Sequence, residues 1–138
     1  MKKEQDKADF KKEERKLLIL DIDETLIYAT KEPLDRLPDF RLSKYYVYKR
    51  PYLDQFLQEI KDDFLLAIWS SATDDYVEAI VEEIIPKDIK LEFVWGGSRC
   101  TLKRNLWDDL EAWDPDNQWQ EYYYTKPLKK VKRRGYDL

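Results

Sequence analysis

Residues 17–25 read Leu17-Leu18-Ile19-Leu20-Asp21-Ile22-Asp23-Glu24-Thr25. Four consecutive apolar residues cut off by a carboxylate predict a short strand buried on both faces, as in a parallel sheet. Two further runs have the same character: Phe64 to Trp69, closed by Ser70-Ser71, and Leu91 to Trp95, closed by Gly96-Gly97. Between the first two runs, Pro51 stands where the first residue of a helix tolerates it, and Leu53, Phe56, Leu57 and Ile60 follow on one helical face. Between the second and third, Thr73 can cap a helix whose inner face is Tyr76, Val77, Ile80, Val81 and Ile84, and Pro86 ends it. Tyr45 to Tyr48 prefers a strand. Residues 30–44, with Pro33 and Pro38, read as a loop. Strands alternating with helices predict an α/β fold with a parallel sheet and right-handed crossovers.

The remaining composition narrows the chemistry. The chain has 138 residues, one domain by size. It contains no His, which excludes imidazole-based nucleophile systems and His-bound zinc. A single Cys, Cys100, can form neither an internal disulfide nor a cysteine cluster, and fits a reducing compartment. The net charge of −4 implies no strong field for nucleic acid. No apolar run reaches membrane-spanning length, and Met1 to Lys16 is charged rather than signal-like. The expected location is the cytoplasm, with neither nucleic acid nor membrane as a partner. Residues 1–16 are expected to form a charged tail and residues 17–138 the folded domain. Trp107 to Trp119, with a turn signal at Asp114-Pro115-Asp116-Asn117, predicts a lid, a substrate platform or a hairpin packed on the sheet.

Ligands of open parallel sheets bind at the carboxyl ends of strands, and two polar clusters fall there. In the first, Asp21 and Asp23 can share one crevice. Paired carboxylates tend to differ in proton affinity, so one can serve as nucleophile and the other as acid and base. Such a pair also attracts a hard divalent cation, Mg²⁺ above all, and Thr25 can hold the second carboxylate. The second cluster is Ser70-Ser71.

LLILDIDETLI resembles the first motif of the haloacid-dehalogenase (HAD) superfamily phosphatases. KRPYLDQFL and FLLAIWSSATDDY are similar to one branch of it, the NLI-interacting-factor-like domain of the FCP/SCP phosphatases. The resemblance implies a HAD-like Rossmannoid three-layer fold and dephosphorylation of phosphoprotein Ser/Thr, or of a small phosphate ester. It makes Asp21 the nucleophile that forms an aspartyl-phosphate and Asp23 the group that protonates the leaving oxygen and then activates water. Mg²⁺ would be held by the Asp21 carboxylate and the Asp23 backbone carbonyl, with Thr25 supporting Asp23. Ser70, or Ser71 with a one-residue shift, would bind phosphate oxygen. Lys126 matches the Lys of the third motif, although the family more often has an acidic residue where Pro127 stands. Lys129 and Lys130 are alternatives for it. Such a site suits phosphoryl transfer, which needs an in-line nucleophile and a dense positive environment.

The resemblance also implies a fourth motif, acidic residues ending a further strand that complete the Mg²⁺ shell. The sequence ends at RRGYDL, before that strand, and Asp137 is a poor substitute. The domain is therefore expected to lack its C-terminal strand or strands and to have weak or no activity. The competing expectation is an inactive relative that binds a protein partner. The oligomeric state is not legible in the sequence.

Overall fold

The computed structural model describes residues 15–104 and 122–136. In chain order the elements are β1 (Lys16–Leu20), β2 (Ile27–Thr30), β3 (Phe40–Leu42), β4 (Tyr45–Lys49), α1 (Leu53–Ile60), β5 (Phe64–Trp69), α2 (Asp74–Ile84), β6 (Leu91–Trp95), β7 (Thr101–Arg104), β8 (Tyr122–Thr125) and α3 (Lys129–Arg133). The three apolar runs pair in the order β1-β5-β6, and both pairings are parallel. The fold is thus the α/β architecture with a parallel sheet that the alternation predicts. The Trp-rich segment, the Asp114–Asn117 turn, most of the charged tail and Asp137 lie outside the described residues.

Alternation along each strand sends side chains to opposite faces. Leu18, Leu20, Leu66 and Ile68 meet Leu53 and Leu57 of α1 and Val77, Ile80 and Ile84 of α2 on one face. Leu17, Ile19, Ala67 and Trp69 join Val131 of α3 on the other. The sheet therefore lies between helices on both faces.

β6 departs from simple alternation. Leu66 pairs with Leu91 but Ile68 pairs with Val94, so β6 carries one residue more than β5 over the same span. This bulge reverses the facing of the strand. Leu91 packs on the α1/α2 side, whereas Phe93 and Trp95 pack on the α3 side beside Trp69.

The segment expected to be a loop contains more structure than its prolines suggest. Phe40–Leu42 pairs with β4, and β2 pairs with the other edge of β4, giving an antiparallel sheet in the order β2-β4-β3. Tertiary pairing with β4, not local propensity, makes residues 40–42 a strand. The two prolines stay in the stretch before it, where the Tyr48 hydroxyl accepts from the Leu34 N–H at 2.8 Å and donates to the Arg36 carbonyl at 3.2 Å.

Candidate active site

The acidic turn is built around a buried residue. Ile22 is wholly inaccessible, and burying it turns the carboxylates on either side of it away from the core. The chain then reverses through hydrogen bonds from the Thr25 and Leu26 N–H groups to the Ile22 carbonyl, at 3.2 and 2.8 Å. Glu24 completes the reversal at φ 62°, a left-handed conformation that costs a non-glycine residue about 1 kcal/mol or more. Arg50 clamps the turn from outside. Its guanidinium donates to the Thr25 carbonyl at 3.0 Å and its N–H to the Leu26 carbonyl at 2.9 Å.

Asp21 follows directly on β1. Its Oδ1 accepts the Ile22 N–H at 2.8 Å and lies 3.3 Å from Lys126 Nζ. Both side chains are partly exposed, so this pair adds at most about 1 kcal/mol to stability. Its consequence is positional: a cation from the segment between β8 and α3 stands over the end of β1. Of the three lysines considered from sequence, Lys126 is the one paired with Asp21. Lys130 instead donates to the Arg99 carbonyl at 2.8 Å, and Lys129 faces solvent.

Asp23 is gripped by a residue that sequence reading treats as core. The Tyr76 hydroxyl, in the first turn of α2, donates to Asp23 Oδ1 at 2.7 Å. Burial, reinforced by the Asp23 carboxylate, holds this hydroxyl protonated well above the ordinary tyrosine range. Thr25 contributes its backbone to the turn, as described above. A half-buried tyrosine needs a hydroxyl partner, and that requirement is the signal from which the Tyr76 contact could have been sought.

Ser70 ends β5, the parallel neighbour of β1. It is 2% exposed, whereas Ser71 is exposed. The Ser70 N–H donates to the Trp95 carbonyl at 2.9 Å, and its Oγ accepts the Ala72 N–H at 3.1 Å. Cys100 Sγ lies 3.8 Å from the Ser70 carbonyl, a weak contact that suits packing rather than reactivity. Gly96-Gly97, which reads as a turn, also permits close approach. A Cβ on Gly96 would sit 2.8 Å from the Asp74 Cα and collide with the Asp74 carboxylate.

A cleft of about 630 Å³ opens beside Asp23, lined by Tyr28, Leu42, Tyr45, Ala72 and Tyr76 among others. The donor set near Asp21 and Asp23 suits Mg²⁺, which takes one or two carboxylates and keeps several waters. The Asp21 carboxylate and the Asp23 carbonyl are oxygen donors of that kind.

Comparison with known proteins gives a consistent picture. The family described as NLI interacting factor-like phosphatase matches residues 16–137. The chain is 32% identical over 77 residues to Nuclear envelope morphology protein 1 of Schizosaccharomyces pombe, covering 49% of this chain and 16% of that protein. It is 29% identical over 117 residues to Putative CTD phosphatase-like protein 355R of Invertebrate iridescent virus 3, covering 70% of this chain and 62% of the relative. CTD nuclear envelope phosphatase 1B of Danio rerio is 28% identical over 103 residues, covering 64% of this chain and 42% of that protein. The chain thus spans less than two thirds of the length of each of these relatives. The structure of Fcp1, an RNA polymerase II CTD phosphatase, superposes with a TM-score of 0.51 at 23% identity, covering 70% of this chain and 33% of that one, a likeness of fold.

One expectation is overturned. Composition pointed to the cytoplasm, but relatives in yeast, fish and frog are named for the nuclear envelope. Charge and hydropathy carry no signal that separates a cytoplasmic setting from a nuclear-envelope one. Among the described residues, no helix is long and apolar enough to cross a membrane.

Proposed function

Because the chain belongs to the NLI interacting factor-like phosphatases, we propose that it dephosphorylates phosphoserine or phosphothreonine in protein substrates through an aspartyl-phosphate on Asp21. The observation that carries this reading is the meeting of Asp21 and Lys126 at 3.3 Å over the carboxyl end of the parallel sheet, with Asp23 two residues further on. A carboxylate beside a fixed cation supplies a nucleophile and part of the positive environment that in-line phosphoryl transfer uses.

The Asp21 carboxylate attacks phosphorus, and the bond to the seryl oxygen breaks as the new bond forms. Asp23 gives its proton to the departing oxygen, then takes one from the water that cleaves the acyl phosphate. Lys126 offsets charge on the equatorial oxygens. Ser70, whose Oγ accepts a backbone N–H and keeps its own proton to give, or the exposed Ser71 beside it, would donate to a phosphate oxygen. The Asp21 carboxylate and the Asp23 carbonyl would hold Mg²⁺, which would supply charge neutralisation when bound. The cleft beside Tyr76 has room for the residue flanking the phosphorylated one.

The test is phosphate release from a phosphoserine peptide with and without Mg²⁺. Mg²⁺-dependent turnover lost in Asp21→Asn supports the reading; turnover that persists in Asp21→Asn, or none at all with the wild-type chain, rejects it, the latter in favour of the inactive, partner-binding relative. The names of the relatives support a nuclear-envelope setting, which imaging of a tagged chain against an envelope marker tests.

A further inference from the structure

The two sides of the candidate site differ in chemistry. On one face of the sheet, Asp23 and Tyr76 border the tyrosine-lined cleft. On the other, Lys126 leads into α3, and six of the nine residues from Lys126 to Arg134 are basic. No acidic residue occurs among positions 122–136. In a chain of net charge −4 this is a local concentration of positive charge.

The geometry of α3 determines where that charge points. Val131 is wholly buried against Trp69, Phe93 and Trp95. At 100° per residue, burial of Val131 turns Lys129 and Arg133 to the opposite side of the helix, with Lys132 on its flank. All three are exposed. Two other cations of the run have contacts of their own: Lys130 on the Arg99 carbonyl, and Arg134 with its guanidinium carbon 6.0 Å from the centre of the Trp95 ring. The patch is thus Lys129, Lys132 and Arg133, carried on a helix anchored through Val131 and connected to the site through Lys126.

We infer that this patch is a second phosphate-binding surface, and that the preferred substrates are multiply phosphorylated segments whose neighbouring phosphate lies on α3 while the scissile one lies at Asp21. The inference rests on the phosphatase reading and narrows its substrate class. Charge complementarity favours it, because a second phosphate presents up to two negative charges and three acceptor oxygens to basic side chains.

The test measures binding of fluorescent peptides to the full chain carrying Asp21→Asn, by anisotropy in Mg²⁺ at low salt. Unmodified, singly phosphorylated and doubly phosphorylated forms of one sequence are compared. The second phosphate is expected to raise affinity about tenfold, and the gain to shrink with added NaCl. Adding Lys132→Glu and Arg133→Glu should remove that gain while leaving affinity for the singly phosphorylated peptide unchanged, which also shows that the variant is folded. Equal affinity for the two phosphopeptides would overturn the inference and leave the phosphatase reading intact, as would equal weakening of both by the charge reversal. If the singly phosphorylated and unmodified peptides bind alike, the phosphatase reading fails and the inference fails with it. Tighter, reversal-sensitive binding to a matched RNA oligonucleotide or to phosphatidylserine vesicles than to the doubly phosphorylated peptide would reassign the patch.

Discussion

The Tyr76 hydroxyl donates to Asp23 Oδ1 at 2.7 Å across 53 positions of sequence. It ties the start of α2 to the acidic turn after β1 and fixes the rotamer of the proposed acid. Tyr76→Phe removes one hydrogen bond and little volume. Turnover of a phosphoserine peptide is expected to fall about tenfold, the kinetic equivalent of losing one hydrogen bond of about 1–1.5 kcal/mol. Turnover of an aryl phosphate, whose leaving group needs little protonation, should fall less. Equal losses on both substrates would show that Tyr76 does not act through Asp23.

Lys126 is expected to matter to rate and not to fold. Lys126→Met should lower kcat about a hundredfold, typical of losing a fixed charge at a transition state, with the urea midpoint nearly unchanged because the Asp21 pair is partly exposed. A large stability loss with turnover preserved would reverse that assignment.

Gly96 tests close approach to the loop that follows Ser70. Gly96→Ala places a methyl group against the Asp74 backbone, 2.8 Å from its Cα. Neither backbone can yield without moving the loop after Ser70. A loss of about 1–3 kcal/mol is expected, read from urea unfolding, together with weaker turnover. A neutral result would mean that the Ser70–Asp74 loop moves freely.

The parallel sheet and its two crossover helices were legible because LLIL, FLLAIW and LEFVW are runs that only a doubly covered sheet buries. The bulge in β6 was not, because it depends on register against β5 rather than on composition. Strand β3 was hidden by nearby prolines. Asp21 and Ser70-Ser71 could be singled out because each closes an apolar run, whereas Lys126, one of many lysines in a basic run, was named only through the family resemblance. Tyr76 could not, because an aromatic on a helix's inner face satisfies the apolar pattern while its hydroxyl partner lies far away in sequence.

The Lys61–Asp88 pair provides a pH test of the fold away from the site. Lys61 Nζ lies 2.9 Å from Asp88 Oδ2. The hydrogen bond to Lys61 holds the Asp88 carboxyl below its ordinary value, and the hydrogen bond to Asp88 holds the Lys61 ammonium above its own. A depressed carboxyl stabilises the fold above its unfolded value of 3.8 and loses that contribution as pH falls through the lower folded value. A raised ammonium stabilises below its unfolded value of 10.5 and loses that contribution as pH rises through the higher folded value. Urea midpoints of the wild-type chain and of Lys61→Met/Asp88→Asn should therefore differ by a small constant from about pH 5 to about pH 9 and converge below about pH 3. A difference that varies across neutral pH would point to another titrating group.

The most direct test of the central claim is to trap the covalent intermediate. The chain is mixed with a phosphoserine peptide and Mg²⁺, quenched in acid and digested, and the phosphorylated fragment is located. A hydroxylamine-labile phosphate on the fragment containing Asp21, absent from Asp21→Asn, is the predicted result. A phosphate on any other residue, or turnover that survives in Asp21→Asn, would contradict it.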